Sequence, residues 1–122
     1  MRHARQHHCV CYCQGYVYIL NGEAQPGSLL RECEQYNVRT GAIEEIAPSK
    51  LAVTRAAACQ FNSQYIFRFS GIDERGIPVE AIERYDIRRN AWDIINPIFN
   101  MSIPPTVLTV KTLCHLEIQL EV

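Results

Sequence analysis

Tyr16-Val17-Tyr18-Ile19-Leu20-Asn21-Gly22 has an echo 49 places further on, Tyr65-Ile66-Phe67-Arg68-Phe69-Ser70-Gly71. Each stretch is aromatic and β-branched, the composition that fits a pleated strand. The first is apolar on both alternating faces, as expected of a strand buried on both sides of its sheet. Each ends in a glycine, which can take positive φ or let another backbone approach closely.

Working outward, the same offset continues to match. Glu34-Gln35-Tyr36-Asn37-Val38-Arg39 falls on Glu83-Arg84-Tyr85-Asp86-Ile87-Arg88. Ile43 falls on Trp92, Ile46 on Ile95, Pro48 on Pro97 and Gly27 on Gly76. Upstream, Arg5 pairs with Arg55 after a slip of one residue. A long, nearly gapless self-match is the signature of an internal repeat.

Each copy reads as about four short strands. Polar turns at Gln14-Gly15 and Asn62-Ser63 suit tight hairpins. Polar loops follow the glycines, Glu23 to Ser28 and Asp73 to Gly76. The third segment of each copy is ambiguous by periodicity alone. The turn signals after it, Thr40-Gly41 and Arg89-Asn90, favour a hairpin over a helix. A last short strand carries Ile43 and Ile46, or Trp92 and Ile95.

These residues resemble the Kelch repeat. That family's pattern is an Arg before the first strand, an aromatic strand ending in a double glycine, a Glu-x-Tyr-Asp segment and a Trp shortly after. The second copy supplies Arg55, Gly71, Glu83, Tyr85, Asp86 and Trp92, and the first Arg5, Gly22, Glu34, Tyr36 and Asn37. The first glycine of the pair is Asn21 or Ser70, and Ile43 stands at the first Trp position. The resemblance implies an all-β fold of four-stranded antiparallel blades from a Kelch-type β-propeller. It would be incomplete, with one repeat over residues 5–47, a second over 55–96 and a partial third blade over 106–122. The chain would then be one partial propeller region, a fragment or truncated form of something larger.

Such an arrangement would leave apolar faces wet. A face of ~400 Å² forgoes about 10 kcal/mol at ~25 cal/mol per Å², against a typical domain stability of ~5–15 kcal/mol. Further blades or self-association would be expected to cover them. Beyond Pro104-Pro105, the strict alternation of Leu116-Glu117-Ile118-Gln119-Leu120-Glu121-Val122 reads as a half-buried strand.

Composition narrows the partners. The chain has 122 residues, 48% of them hydrophobic, and a formal net charge of -1. One compact domain fits that length. Near-neutral charge argues against nucleic acid or an anionic membrane as the main partner. No apolar run reaches the ~20 residues of a membrane span, and the polar start, Met1 to His8, does not resemble a secretory leader. The expectation is a cytoplasmic protein with reduced thiols at Cys9, Cys11, Cys13, Cys33, Cys59 and Cys114.

The densest set of candidate metal ligands is His7-His8-Cys9-Val10-Cys11-Tyr12-Cys13. On a strand its three sulfurs lie in a row about 6.5–7 Å apart per step, whereas zinc needs them converging at ~2.3 Å from one point. No metal and no cofactor are expected. Cys114 and His115 are adjacent, and neighbouring strand residues point to opposite faces, a poor geometry for a nucleophilic dyad. No catalytic motif is present, so an enzyme is not expected.

The functional expectation is therefore a Kelch-type scaffold for protein–protein interaction. The alternative is a structural subunit or degenerate remnant without binding activity of its own. Loops on rigid scaffolds carry function, which makes Glu23, Gln25, Asp73, Glu74 and Arg75 the candidate partner-binding residues.

Overall fold

The computed structural model describes residues 3–95. The proposed third blade at 106–122, the end of the second repeat and the Cys114-His115 pair lie outside these residues. The described chain is all-β. Its strands are β1 (Cys9–Cys13), β2 (Tyr16–Leu20), β3 (Glu23–Gln25), β4 (Ser28–Leu29), β5 (Cys33–Asn37) and β6 (Ile43–Ile46). Then follow β7 (Ala57–Phe61), β8 (Tyr65–Phe69), β9 (Ile82–Asp86) and β10 (Ala91–Ile95).

They form two four-stranded antiparallel sheets, ordered β1-β2-β5-β6 and β7-β8-β9-β10, plus a two-stranded ribbon of β3 and β4. The sheets are flat and separate, and none closes or curls into a propeller arrangement. The Kelch-type propeller is therefore corrected to an all-β fold of separate antiparallel sheets, and the scaffold function inferred from it falls with it. The physical reason lies in what the shared residues specify. Gly22, Gly71 and the Glu-x-Tyr segments are short features that suit turns and strand pairing, and such local features do not dictate how sheets are arranged among themselves.

The polar loop after Gly22 also differs from expectation. Its residues Glu23 to Leu29 pair as the small ribbon, turning at Pro26-Gly27 with Gly27 at φ 82°. The sequence offered no alternation there, because the strands are two and three residues long.

The two large sheets share one core. Cys9, Cys11, Cys13, Tyr18, Leu20, Cys33 and Ile46 of the first meet Ile66, Tyr85 and Trp92 of the second. The rings of Tyr18 and Tyr85 lie 6.0 Å apart and those of Tyr85 and Trp92 5.1 Å apart, both tilted, a favourable spacing for aromatic pairs. Trp92 Nε1 donates to the Ala47 carbonyl at 2.8 Å, and the Ala47 N–H donates to Asn90 Oδ1 at 2.9 Å. Ala47, at the first sheet's exit, is thus held through both its N–H and its carbonyl by the second sheet.

The strand registers revise the repeat alignment. Cys13 lies opposite Tyr16, and Phe61 opposite Tyr65, so the connecting turn is one residue longer in the second sheet. The first strand of each sheet therefore matches at an offset of 48. Gly22 and Gly71 confirm it: a Cβ on Gly22 would meet the Gln6 carbonyl oxygen at 2.7 Å, and one on Gly71 the Thr54 carbonyl oxygen at 2.9 Å. Arg55 consequently matches His7, and both have positive φ, 59° and 55°. Val53 stands where Arg5 stands in the first sheet.

Candidate functional site

Strand β1 alternates cleanly. Cys9, Cys11 and Cys13 point into the shared core, and Val10 and Tyr12 point away from it. Register then carries Tyr12 across the sheet, opposite Val17, which is opposite Tyr36, which is opposite Ile43. These four form an apolar row on the outer face of the first sheet. A second row, Val10, Ile19, Glu34 and Glu45, lies beside it.

This outer face is the most exposed apolar surface among the described residues. Tyr12 is 62% exposed, Val10 55% and Val38, just beyond β5, 51%. Tyr12 and Val38 line a shallow hollow of about 430 Å³ with Arg39 and the Gln14-Gly15 turn. Val38 is held beside Tyr12 because its N–H donates to the Gly15 carbonyl at 3.0 Å, extending the ladder past the strand end. Contiguous apolar surface on a folded domain commonly marks a contact site.

The outer face of the second sheet is aromatic. Phe61 and Phe67 meet edge-on at 6.5 Å, and Tyr65 and Phe67 lie 6.4 Å apart. The Arg84 guanidinium sits 4.7 Å over the Tyr65 ring, a cation–π geometry. These side chains are half-buried.

Two ion pairs are buried, Arg5–Glu34 on the outer side of the first sheet and Arg68–Glu83 on the face of the second sheet turned to the first. Arg5 reaches Glu34 at 3.0 Å, and Arg68 reaches Glu83 at 2.8 Å, with all four side chains withdrawn from solvent. Arg5 also donates to the carbonyls of Asn21 and Glu32. Glu83 accepts the N–H groups of Lys50 and Leu51, at 2.7 and 3.1 Å, from the segment joining the sheets. Arg68 donates to Asn21 Oδ1 at 3.2 Å. Burial pulls the Arg68 guanidinium below its ordinary pKa, and the neighbouring Glu83 opposes that pull. A buried charge is tolerated only when paired; the Arg68–Glu83 pair, through the N–H groups of Lys50 and Leu51 and through Asn21 Oδ1, ties the second sheet to the first.

The sequence-predicted residues fall into different settings. Arg5, Glu34 and Glu83 belong to the buried ion pairs, and Tyr85 and Trp92 to the core. Gly22 and Gly71 hold the close backbone crossings, and Tyr36 lies on the outer row. Asp86 caps the following turn by accepting the N–H groups of Arg88 and Arg89. Arg55 is exposed and away from Glu83's ion pair, whose guanidinium comes from Arg68 instead.

Among the loop residues, Glu23 sits in β3, 3.3 Å from His7 Nδ1, and Gln25 is exposed. Asp73 organises its own turn by accepting the N–H groups of Arg75 and Ile77 at 2.9 and 3.0 Å. Those donors, Ile77 first, hold its carboxyl below the usual range. Glu74 and Arg75 project outward.

Reading the sequence for ligands passed over Val10, Tyr12 and Val38. The signal was present: period-two alternation around three buried cysteines puts Val10 and Tyr12 on the other side of the strand. Among the described residues, no three of His, Cys, Asp and Glu gather where they could hold a metal ion, and no helix is long and apolar enough to cross a membrane. No protein-family model matches the chain.

Proposed function

We propose that this chain is a protein-contact module whose binding surface is the outer face of its first sheet, centred on Val10 and Tyr12. The observation that carries this reading is the exposure of Tyr12, Val10 and Val38 together on one rigid face. Aromatic residues in such a setting are the usual anchors of protein interfaces. The partner is a protein with an apolar surface of its own.

The role is non-catalytic. The groups most capable of chemistry are committed to structure: Arg5, Glu34, Arg68 and Glu83 neutralise one another inside the molecule. Burial pushes the Cys9 thiol up to about 12 and the Cys33 thiol up to about 11, far from a reactive thiolate. Protonated, buried thiols also suit the reducing cytoplasm.

A photoreactive residue at position 10, compared with one at position 74, tests the reading. The face predicts a discrete protein adduct from position 10 that Tyr12→Glu suppresses. Adducts from position 74 alone would return the binding role to the loops, and adducts from neither would sink the proposal.

A further inference from the structure

The internal repeat specifies what the outer faces are shaped to receive. In the second sheet, the row matching Tyr12, Val17, Tyr36 and Ile43 is Gln60, Ile66, Tyr85 and Trp92. Gln60 at its edge is exposed, but Ile66, Tyr85 and Trp92 do not face solvent. It is the row by which the second sheet grips the first, through the buried residues Ile66, Tyr85 and Trp92. The exposed face of sheet one is therefore the counterpart of a face that is already engaged within the same molecule.

The converse also holds. The first sheet is gripped on the side carrying Cys11, Tyr18, Leu20 and Cys33. By register, Cys11 and Tyr18 match Cys59 and Phe67, and Leu20 and Cys33 match Phe69 and Ile82. Those residues lie on the far face of sheet two, Cys59 and Phe67 half-buried and Phe69 and Ile82 buried. The two sheets thus stack facing the same way, which leaves one gripping face and one gripped face at opposite ends.

Resting on the reading of the outer face as a contact surface, we propose that its partner is a second copy of this chain, docked head to tail. The outer face of sheet one in one copy meets the outer face of sheet two in the next. The internal Tyr18–Tyr85 contact supplies the template, and its intermolecular counterpart is Phe67 of one copy against Tyr36 of the other. The contact is heterologous, since each copy uses two different faces. Association of this kind continues from copy to copy.

Sedimentation of the full-length chain over a wide concentration range tests this, with Tyr12→Glu spoiling one face and Phe67→Lys the other. Arg84→Glu serves as a second variant of the sheet-two face, because Phe67 is half-buried and Arg84 lies opposite it on the same face. The wild-type chain should grow in mass with concentration. Each variant should weaken self-association at least about tenfold, the scale of losing an interface anchor. The decisive arm mixes the two kinds of variant: each keeps the face the other lacks, so a one-to-one pair forms and nothing larger.

Variants that fail singly and stay apart when mixed would contradict the head-to-tail arrangement. So would a wild-type chain that is monomeric at every concentration, as when residues 96–122 of the same chain occupy the sheet-two face. In either case an adduct from position 10 to a different protein would leave the contact role standing, and its absence would remove both.

Discussion

The two four-stranded sheets place the same carboxylate in the same strand and neutralise it by different routes. Glu34 takes its guanidinium from Arg5, which arrives from the segment before β1. Glu83 takes it from Arg68, directly opposite on the neighbouring strand. Val53 fills the position of Arg5 in the second sheet, and Ile19 fills the position of Arg68 in the first. The pair has been conserved in charge and moved in space. The demand is for a paired charge at that point of the strand, and the chain can meet it from either side.

The largest expected effect comes from breaking one route. Arg68→Met leaves Glu83 buried with only its backbone donors, and losing one partner of a buried pair costs about 3–5 kcal/mol. Chemical denaturation should show that loss as a lower midpoint with an unchanged slope. The sharper form transplants the first sheet's solution into the second: Val53→Arg combined with Arg68→Ile should recover part of the loss. A double variant no more stable than Arg68→Met would show that the two routes are not interchangeable.

Next in size is the contrast between Trp92 and its counterpart Ile43. Trp92 is buried against Tyr85 and donates to Ala47, whereas Ile43 lies on the open row. Trp92→Ala should cost about 3–5 kcal/mol. Ile43→Ala should cost clearly less, and equal losses in thermal unfolding would mean that the Ile43 row is covered within the chain.

The glycines give a finer comparison. Gly22→Ala would press a methyl onto Gln6 at 2.7 Å, and Gly71→Ala onto Thr54 at 2.9 Å, both at strongly positive φ. Each should destabilise by about 1–3 kcal/mol, Gly22 the more. A reversed order would indicate that the backbone of the first crossing yields more easily.

Burial of thiols predicts a pH effect confined to the alkaline side. The folded state holds Cys9 and Cys33 above their ordinary value of 9.0, at about 12 and 11. For an acid whose pKa is raised by folding, the stabilisation is complete below the unfolded value and is lost as pH rises through the folded one. Stability should therefore decline above pH 9, and serine at both positions should flatten that decline. The smallest effect is expected from Tyr12→Ser, which should leave stability within about 0.5 kcal/mol while still disturbing contacts.

Much of the sheet structure was legible. Tyr16 to Leu20 and its echo at Tyr65 marked the central strands, and Gly22 and Gly71 their ends. What stayed hidden depended on distance or on short spans. β3 and β4 are too brief for alternation to register. The pairing of Arg68 was not visible, because its partner Glu83 is 15 positions away in sequence. Arg55 looked like the counterpart of Arg5 because the letters match, whereas the longer turn before Tyr65 sets the first strand's offset at 48 and puts Val53 there, two residues before Arg55. The contact face was visible only in part. Val10 and Tyr12 follow from alternation, but that their row matches the engaged Tyr85 row emerges only from register across four strands.

The outer face of the first sheet should be open on the isolated chain and closed by a protein partner. Hydroxyl-radical footprinting of the tyrosines over a dilution series addresses it directly. Tyr18 and Tyr85, at the internal interface, should resist labelling throughout. Tyr12 should label strongly when dilute and become protected as association proceeds. A Tyr12 that is protected at every dilution, or equally reactive in the associated state, would contradict the account.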